Sequence, residues 1–352
     1  MKKNLNDSRF FRILLLAALV LPALASCKKE EQGAGGNEDT PFAFTGQYLV
    51  LNNGKWGNND ASLGCWEDQS KTYYPGVFYG VNKQHLGDLG QDMIVYGSKV
   101  YIAVSGSKKI FVTDKALNLL QTINPDNCQP RHLEAYNGKV YATLYEGYLA
   151  EIDTTSYALR KMEVGDSPEG FAITGGRAYV ACSGGMSYPN YGDKMVAVNL
   201  GSFTIELYIT VNLNPQSVWA ANGKVYILSW GNYADVPAKL QVYEYPSVTD
   251  TGYSGVYAGA LYGDVLYLLC DTSNPDGAQV CRLSTSTGND LGVFFPSGIQ
   301  GAYSLSVTKD YLWLGISDYV KPGTMQVWTR EGQELYASFG TLGLNPQKVI
   351  ER

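Results

Sequence analysis

Short apolar segments alternate with turn residues along the chain from about residue 43 to its end. Six segments share one pattern, in which a tight turn leads into an apolar strand that contains an aromatic residue: 96–101, 136–141, 174–179, 221–226, 262–267 and 308–313. Asn-Gly and Gly-Gly between alternating apolar runs are strong hairpin signals, because type I′ turns need positive φ at both central residues. The pattern therefore predicts repeated antiparallel hairpins.

The repeat has the length of one blade of a β-propeller. The aromatic residues that close the six segments are 40, 38, 47, 41 and 46 residues apart: Tyr101, Tyr141, Tyr179, Tyr226, Tyr267 and Trp313. A four-stranded blade has this period. A partial seventh copy at 47–52 lacks a preceding strand, and 345–350 has the character of that missing strand. We therefore predict an all-β, seven-bladed β-propeller over 43–352, closed by pairing of the N- and C-terminal strands. Two separate sandwiches would not explain so regular a period.

The N-terminus predicts an exported lipoprotein. Basic residues precede an apolar core at 13–21, and Leu24-Ala25-Ser26-Cys27 matches a bacterial lipobox. Residues 1–26 are then a signal peptide, with Cys27 as the lipidated first residue of the mature chain. Residues 27–42 are polar and glycine-rich, as expected of a flexible tether. We expect the protein to be lipid-anchored in the outer membrane and to face the extracellular side.

Composition narrows the choice of partners. The chain has 27 tyrosines, 39 glycines and a net charge of −6, a balance that argues against nucleic acid or an anionic membrane surface. Five cysteines follow Cys27, an odd number without a Cys-x-x-Cys pair. Cys270 and Cys281 flank one hairpin loop and could form a disulfide or remain buried thiols.

One position in each blade is predicted to surround a mouth of the central channel. It lies ten residues before the aromatic residue, at the start of the innermost strand, and holds Gln91, Arg131, Glu169, Gln216, Tyr257 and Tyr303, with Gln347 in the closing strand. We call these seven residues the ring. Polar groups that converge on a concave surface are typical of a binding site. The alternative is a water-filled channel in which they only satisfy one another.

Aromatic loops on the same face strengthen the binding interpretation. Four long loops between the second and third strands carry Trp56 and Asn58, Tyr188 and Tyr191, Trp230 and Tyr233, and Tyr319. Exposed Tyr and Trp side chains offer broad contact area at low entropic cost. The alternative is that some of these rings cap the apolar cores of the blades.

Signals for catalysis are weak. With only His85 and His132, a histidine-based triad or metal site has little to draw on, and we predict neither an enzyme nor a bound metal. The segment 271–277 resembles a calcium loop but lacks the closing glutamate. A lactonase-type propeller would need several carboxylates at the mouth, and Glu169 is the single one in the ring.

The long loops carry a family resemblance. The segments 49–63, 167–173, 184–200, 214–237, 317–328 and 332–349 resemble the YncE-like propeller lipoproteins of Bacteroidota, whose best understood members are the surface cobalamin-binding BtuG lipoproteins. The resemblance covers essentially the whole mature chain. It is closest to the cobalamin-binding branch in the loops that contain Tyr188, Tyr191, Trp230 and Tyr233.

The resemblance implies capture of a corrinoid (vitamin B12) and its transfer to a TonB-dependent outer-membrane transporter. The corrinoid would be cargo, so no cofactor is expected, and no cobalt ligand carries over, although His132 lies near the mouth. Two other readings stay open. One is a binding module for another nutrient such as a glycan, and the other is a metal-dependent enzyme of the lactonase type.

Overall fold

The fold is a single ring of antiparallel sheets. The structure, a computed structural model, describes residues 42–270, 276–294 and 298–352. These residues form seven four-stranded sheets, arranged as the blades of a β-propeller. The predicted fold class, blade count and closure are confirmed. The signal segment and Cys27 lie outside the described residues, as does all but the last residue of the tether.

The strands of each blade are given from the innermost to the outermost. Blade 1 contains β28 (Pro346–Glu351), β1 (Tyr48–Asn52), β2 (Ser62–Glu67) and β3 (Thr72–Tyr74), and blade 2 contains β4 (Gly90–Tyr96), β5 (Lys99–Val104), β6 (Lys109–Asp114) and β7 (Leu119–Ile123). Blade 3 contains β8 (Pro130–Tyr136), β9 (Lys139–Leu144), β10 (Tyr148–Asp153) and β11 (Leu159–Glu163), and blade 4 contains β12 (Pro168–Thr174), β13 (Arg177–Cys182), β14 (Lys194–Asn199) and β15 (Thr204–Thr210). Blade 5 contains β16 (Pro215–Ala221), β17 (Lys224–Ser229), β18 (Lys239–Glu244) and β19 (Ser247–Ser254). Blade 6 contains β20 (Val256–Tyr262), β21 (Val265–Cys270), β22 (Gln279–Ser284) and β23 (Asp290–Val293), and blade 7 contains β24 (Ala302–Val307), β25 (Tyr311–Ile316), β26 (Thr324–Thr329) and β27 (Leu335–Gly340).

The two ends of the propeller meet in blade 1. The strand β28 pairs antiparallel with β1, and Val349 lies opposite Val50 in the register. Beyond the ladder, the Arg352 N–H donates to the Gln47 carbonyl at 2.8 Å. Because β28 supplies the inner strand that β1 lacks, no blade is left with an open inner edge.

The tight turns between the first two strands follow the predicted chemistry in part. Asn137-Gly138, Gly175-Gly176 and Asn222-Gly223 have positive φ at both central residues, as type I′ turns require. At Gly97 and Gly263 only the first central residue is left-handed, and the turn at Lys309-Asp310 has no left-handed residue. All of these turns lie on one face of the propeller, opposite the face where the inner strands start.

The apolar core is divided among the spaces between neighbouring blades. Tyr101 of blade 2, for example, packs with Val140 and Ile152 of blade 3, and all three are fully buried. Five of the six repeated aromatic residues are at most 5% exposed, and Tyr179 is half-buried. Each buried aromatic contributes about 2–3 kcal/mol by leaving water, so the repeat fixes the packing of each blade on the next.

Two local features complete the fold. A short helix, α1 (Val77–Asn82), follows β3, and its Phe78 ring packs at 5.1 Å from the ring of Phe111 in blade 2. Cys270 and Cys281 lie on neighbouring strands as thiols, and a hydrogen bond from Cys270 lowers the pKa of Cys281 against the effect of burial. Across the described ranges, none of the helices has the length and apolar character of a membrane span.

Candidate binding site at the channel mouth

The ring residues occupy one equivalent position in the structure. Each is the second residue of its innermost strand: Gln91, Arg131, Glu169, Gln216, Tyr257, Tyr303 and Gln347. In every blade the register with the second strand shifts at this position, so the ring residue has no partner in the ladder. A bulge of this kind re-aims a side chain relative to the regular alternation of a strand. The bulge gives the seven residues a common local geometry at the mouth.

A left-handed residue stands two positions before the ring residue in six blades: Leu89, Ser167, Asn214, Gly255, Gly301 and Asn345. The carbonyl of this residue accepts a hydrogen bond from the loop that follows the second strand. In blade 2, for example, the Ser105 N–H donates to Leu89 O at 2.8 Å. Blade 3 keeps the bond, from Tyr145 N–H to Gln129 O at 2.9 Å, although Gln129 is not left-handed. There the Glu146 carboxylate accepts from the Gln129 N–H at 2.7 Å. In the six blades where this bond is described, it ties the start of the inner strand, which carries the ring residue, to the loop beside it.

One half of the ring is charged and held in place. Arg131 donates to both carboxylate oxygens of Glu169, at 2.8 and 3.1 Å, and to Oε1 of Gln91 at 3.2 Å. Its guanidinium also lies 5.0 Å from the ring centre of Tyr145. Burial alone would lower the pKa of Arg131, but the Glu169 carboxylate raises it. Three of its five N–H groups are engaged, so two remain to bind a ligand that supplies acceptors.

A charged layer lies one residue further along the inner strands. The Asp92 carboxylate accepts from Lys348 Nζ at 2.6 Å and contacts His132 Nδ1 at 2.9 Å. Burial would raise the pKa of Asp92, but these two cations hold it well below its usual range. Burial would likewise lower the pKa of His132, yet the Asp92 carboxylate raises it to about 9. At neutral pH His132 therefore carries both ring protons and has no lone pair for a metal ion.

The other half of the ring, from blades 5 to 7, is uncharged. Gln216 Nε2 donates to Oδ1 of Asn214 at 2.6 Å, and the Tyr303 ring meets the Tyr319 ring edge-on at 5.6 Å. Burial, with a smaller effect of Tyr319, raises the pKa of Tyr303 well above its ordinary value. The phenol therefore stays protonated and can donate a hydrogen bond at any physiological pH. The mouth thus has a charged side and a phenolic side.

Three tyrosines from the loops of blades 4 and 5 form a continuous aromatic surface. Tyr188 and Tyr191 lie 5.8 Å apart, and Tyr191 and Tyr233 lie 6.0 Å apart, with their rings edge-on in both pairs. Burial, followed by the neighbouring Tyr191, raises the pKa of Tyr233 to about 12. Tyr257 and Glu169 of the ring add smaller electrostatic contributions to this shift. Tyr188 and Tyr233 are each 52% exposed, so this surface is open to a ligand.

The remaining predicted residues differ in exposure and in the contacts they make. Trp56 is 63% exposed on the loop of blade 1, where Asn58 Nδ2 donates to Asp60 Oδ2 at 3.4 Å. Trp230 is half-buried, packs against the core of blades 5 and 6, and donates its indole N–H to the Tyr257 carbonyl at 2.9 Å. Of the aromatic loop residues, Trp230 therefore fits the alternative of a ring that caps a core. Gln347 is half-buried on β28.

Two contributors to the mouth were missed from the sequence. Tyr145 is the first residue after β9. Ser105, Ser183 and Ser317 occupy the same place in other blades. An aromatic residue at a position otherwise held by serine was a signal that could have been noticed. Asp92, by contrast, gave no signal, because its partner Lys348 is 256 residues away in sequence.

No group of three or more His, Cys, Asp or Glu side chains in the described part of the chain could hold a metal ion. Most of the calcium-like segment 271–277 lies outside the described residues.

Neither a protein-family model nor a curated protein matches the chain. Solved structures do. Hydrazine synthase of Kuenenia stuttgartiensis is similar with a TM-score of 0.57 and 14% identity, over 73% of this chain and 93% of that one. A chain of the nidogen/laminin complex is similar with a TM-score of 0.50 and 12% identity, over 69% of this chain and 94% of that one. At such low identity these likenesses concern the fold alone.

Proposed function

We propose that this protein captures a corrinoid at the channel mouth without transforming it and passes it to a TonB-dependent outer-membrane transporter. The observation that carries the proposal is the mouth itself, where Arg131 is fixed on one side and Tyr303 and Tyr319 lie on the other. The sequence resemblance of the long loops to cobalamin-binding lipoproteins supplies the identity of the ligand. Both lines of support concern the same face of the propeller.

The chemistry of a corrinoid suits this surface. Its ring has broad faces, which the tyrosine surface of Tyr188, Tyr191 and Tyr233 can contact. Its edge carries amides, whose carbonyls can accept from the two unengaged N–H groups of Arg131, while phenols such as Tyr303 can donate to the same groups. Because burial fixes the protonation of these phenols, the donors keep their role across physiological pH.

The lipid anchor is part of the same proposal. Acylation at Cys27 would hold the protein at the outer membrane, beside the transporter that receives the ligand. In the described chain, β1 begins at Tyr48, which pairs with Glu351 at the end of β28 that lies away from the mouth.

The test is a titration of the purified chain from residue 43 with cyanocobalamin, followed by calorimetry. We expect saturable one-to-one binding at micromolar or lower concentration. Absence of binding at micromolar concentration would rule out the corrinoid. Binding of a glycan on an array, with indifference to cyanocobalamin, would instead support the nutrient-binding alternative, to which the same exposed tyrosines are suited.

A further inference from the structure

A second cleft lies on the opposite face of the propeller, at the seam between blades 3 and 4. It is open and has a volume of about 550 Å³. The turns at Asn137 and Gly175-Gly176, which join the first two strands of these blades, line it. Since the inner strands of blades 3 and 4, β8 and β12, have seven residues each, the cleft is about 20 Å from the ring. It is thus separate from the mouth.

The lysine that bridges blades 2 and 3 has no such counterpart at this seam. Lys99, the first residue of β5, crosses to blade 3 and donates to the Thr154 carbonyl at 2.6 Å. Lys139 holds the equivalent place in β9, but it contacts Asp153 at 3.2 Å and Glu151 at 3.6 Å within its own blade. The seam between blades 3 and 4 therefore lacks an equivalent lysine bridge.

The carboxylates that pair with the two arginines of the cleft, Arg160 and Arg177, accept several hydrogen bonds each. Glu151 is 7% exposed, and its oxygens accept from Arg160 at 3.0 and 2.9 Å and from the Tyr141 hydroxyl at 3.2 Å. Burial would raise the pKa of Glu151, but Arg160 lowers it, so the group is ionised at neutral pH. Glu206 accepts from Arg177 Nε and, at 2.7 Å, from Asn199 Nδ2.

The two arginines, in contrast, use only some of their N–H groups in hydrogen bonds within the described residues. Arg160 uses two of its five N–H groups on Glu151, and Arg177 uses one on Glu206. Within the described part of the chain the other N–H groups have no protein acceptor, and the two side chains are 56% and 42% exposed. A carboxylate has about four acceptor sites, fewer than these donors could fill, whereas a phosphate group has more oxygens.

We propose that the cleft between blades 3 and 4 binds a phosphate group through Arg160 and Arg177. Guanidinium groups bind phosphate oxygens in pairs, and Lys139, which contacts Asp153 and Glu151, lines the same cleft. A side-chain carbon placed on Gly175 would meet nothing within 4 Å, so this wall leaves room for a ligand. The phosphate could belong to a soluble molecule or to a lipid headgroup.

The first experiment titrates the propeller with inorganic phosphate, at ionic strength held constant with sodium chloride. We expect saturable binding that is weakened at least tenfold in Arg177→Gln and less in Arg177→Lys, which keeps the charge but loses the paired geometry. Arg160 is left intact because its loss would strand the buried Glu151 charge. Lys239→Gln, which removes the cation of an exposed pair with Asp250 in blade 5, is the matched control and should bind normally.

A second arm separates the two sources of phosphate. Sedimentation with phosphatidylglycerol vesicles, lost in Arg177→Gln, would identify a lipid headgroup, whereas binding to free phosphate without sedimentation would identify a soluble ligand. Equal phosphate affinity in Arg177→Gln and Lys239→Gln, or no saturable binding to phosphate or vesicles, would overturn the proposal. Cyanocobalamin binding, measured in the same variants, should not change, so this result is independent of the mouth.

Discussion

Arg131 and Glu169 join blades 3 and 4 at the mouth through two parallel hydrogen bonds of 2.8 and 3.1 Å. Both residues sit on a bulge of the inner strand, and Glu169 is 8% exposed. A paired guanidinium and carboxylate hold one geometry better than separate charges. The pair therefore fixes a donor surface at the mouth before any ligand arrives, and it also couples the shape of the site to the packing of the blades.

Removing this pair should affect binding and stability together. We expect Glu169→Gln to weaken cyanocobalamin binding about tenfold, because Arg131 loses its fixed orientation. The free energy of unfolding should fall by about 2 kcal/mol, the scale of a hydrogen bond to a charged group. Urea titration and calorimetry measure the two effects. Glu244→Gln, in an exposed pair with Lys224, is the control and should change neither.

The aromatic surface gives a prediction about affinity. Tyr188→Ala and Tyr233→Ala should each cost about 2 kcal/mol of binding free energy if these rings are central anchors, with little change in stability. Tyr208→Ala removes a ring that is 68% exposed on the outermost strand of blade 4 and should leave binding unchanged. Smaller losses for both loop variants would place the ligand elsewhere.

Trp230 should behave unlike those tyrosines. Because its ring packs against a core and its N–H bonds to Tyr257, Trp230→Ala should lower the free energy of unfolding by about 3 kcal/mol. Thermal and chemical unfolding measure this loss. A variant that binds poorly but unfolds like the parent protein would show that Trp230 contacts the ligand directly.

The His132 pair with Asp92 predicts a pH dependence. The folded pKa of His132 is about 9, above its unfolded value, so its stabilisation is complete below about pH 6.5 and is lost as the pH rises through 9. We expect the free energy of unfolding to fall by up to about 3 kcal/mol over this interval. Urea titrations at several pH values should show the fall in the parent protein and in His85→Gln, but not in His132→Gln. If the free energy of unfolding of His132→Gln fell with pH as steeply as that of the parent protein, the pH dependence would not come from His132.

Closure of the propeller can be tested at β28, the strand that completes blade 1. Val349 is 3% exposed where β28 pairs with β1, so Val349→Asp would bury an unpaired charge. We expect a loss of several kcal/mol, seen as a lower urea midpoint or as loss of cooperative unfolding. Val320→Asp makes the same change at a residue that is 78% exposed and should be nearly neutral. Similar unfolding of the two variants would mean that this pairing contributes little.

The repeat made most of the fold predictable, and it also located the ring. Each blade repeats one local pattern, so the offset of ten residues found in one blade applies in the next, and the second position of each inner strand follows. The bulge at that position was not predictable. In six blades a left-handed residue stands two positions before the ring residue, and Leu89 and Ser167 adopt that backbone without the glycine that would signal it.

By itself, the sequence determined the blades, their number and closure, and which seven residues start the inner strands, because these follow from local periodicity and turn chemistry. The tertiary structure decided which of those residues touch. Arg131 finds Glu169 and Gln91, while Asp92 meets His132 and Lys348, through contacts between blades that are distant in sequence. It also decided that Trp230 supports the core and that Lys139, beside the second cleft, pairs within blade 3 rather than crossing to blade 4. Such outcomes depend on side-chain competition between neighbouring blades, which no local pattern records.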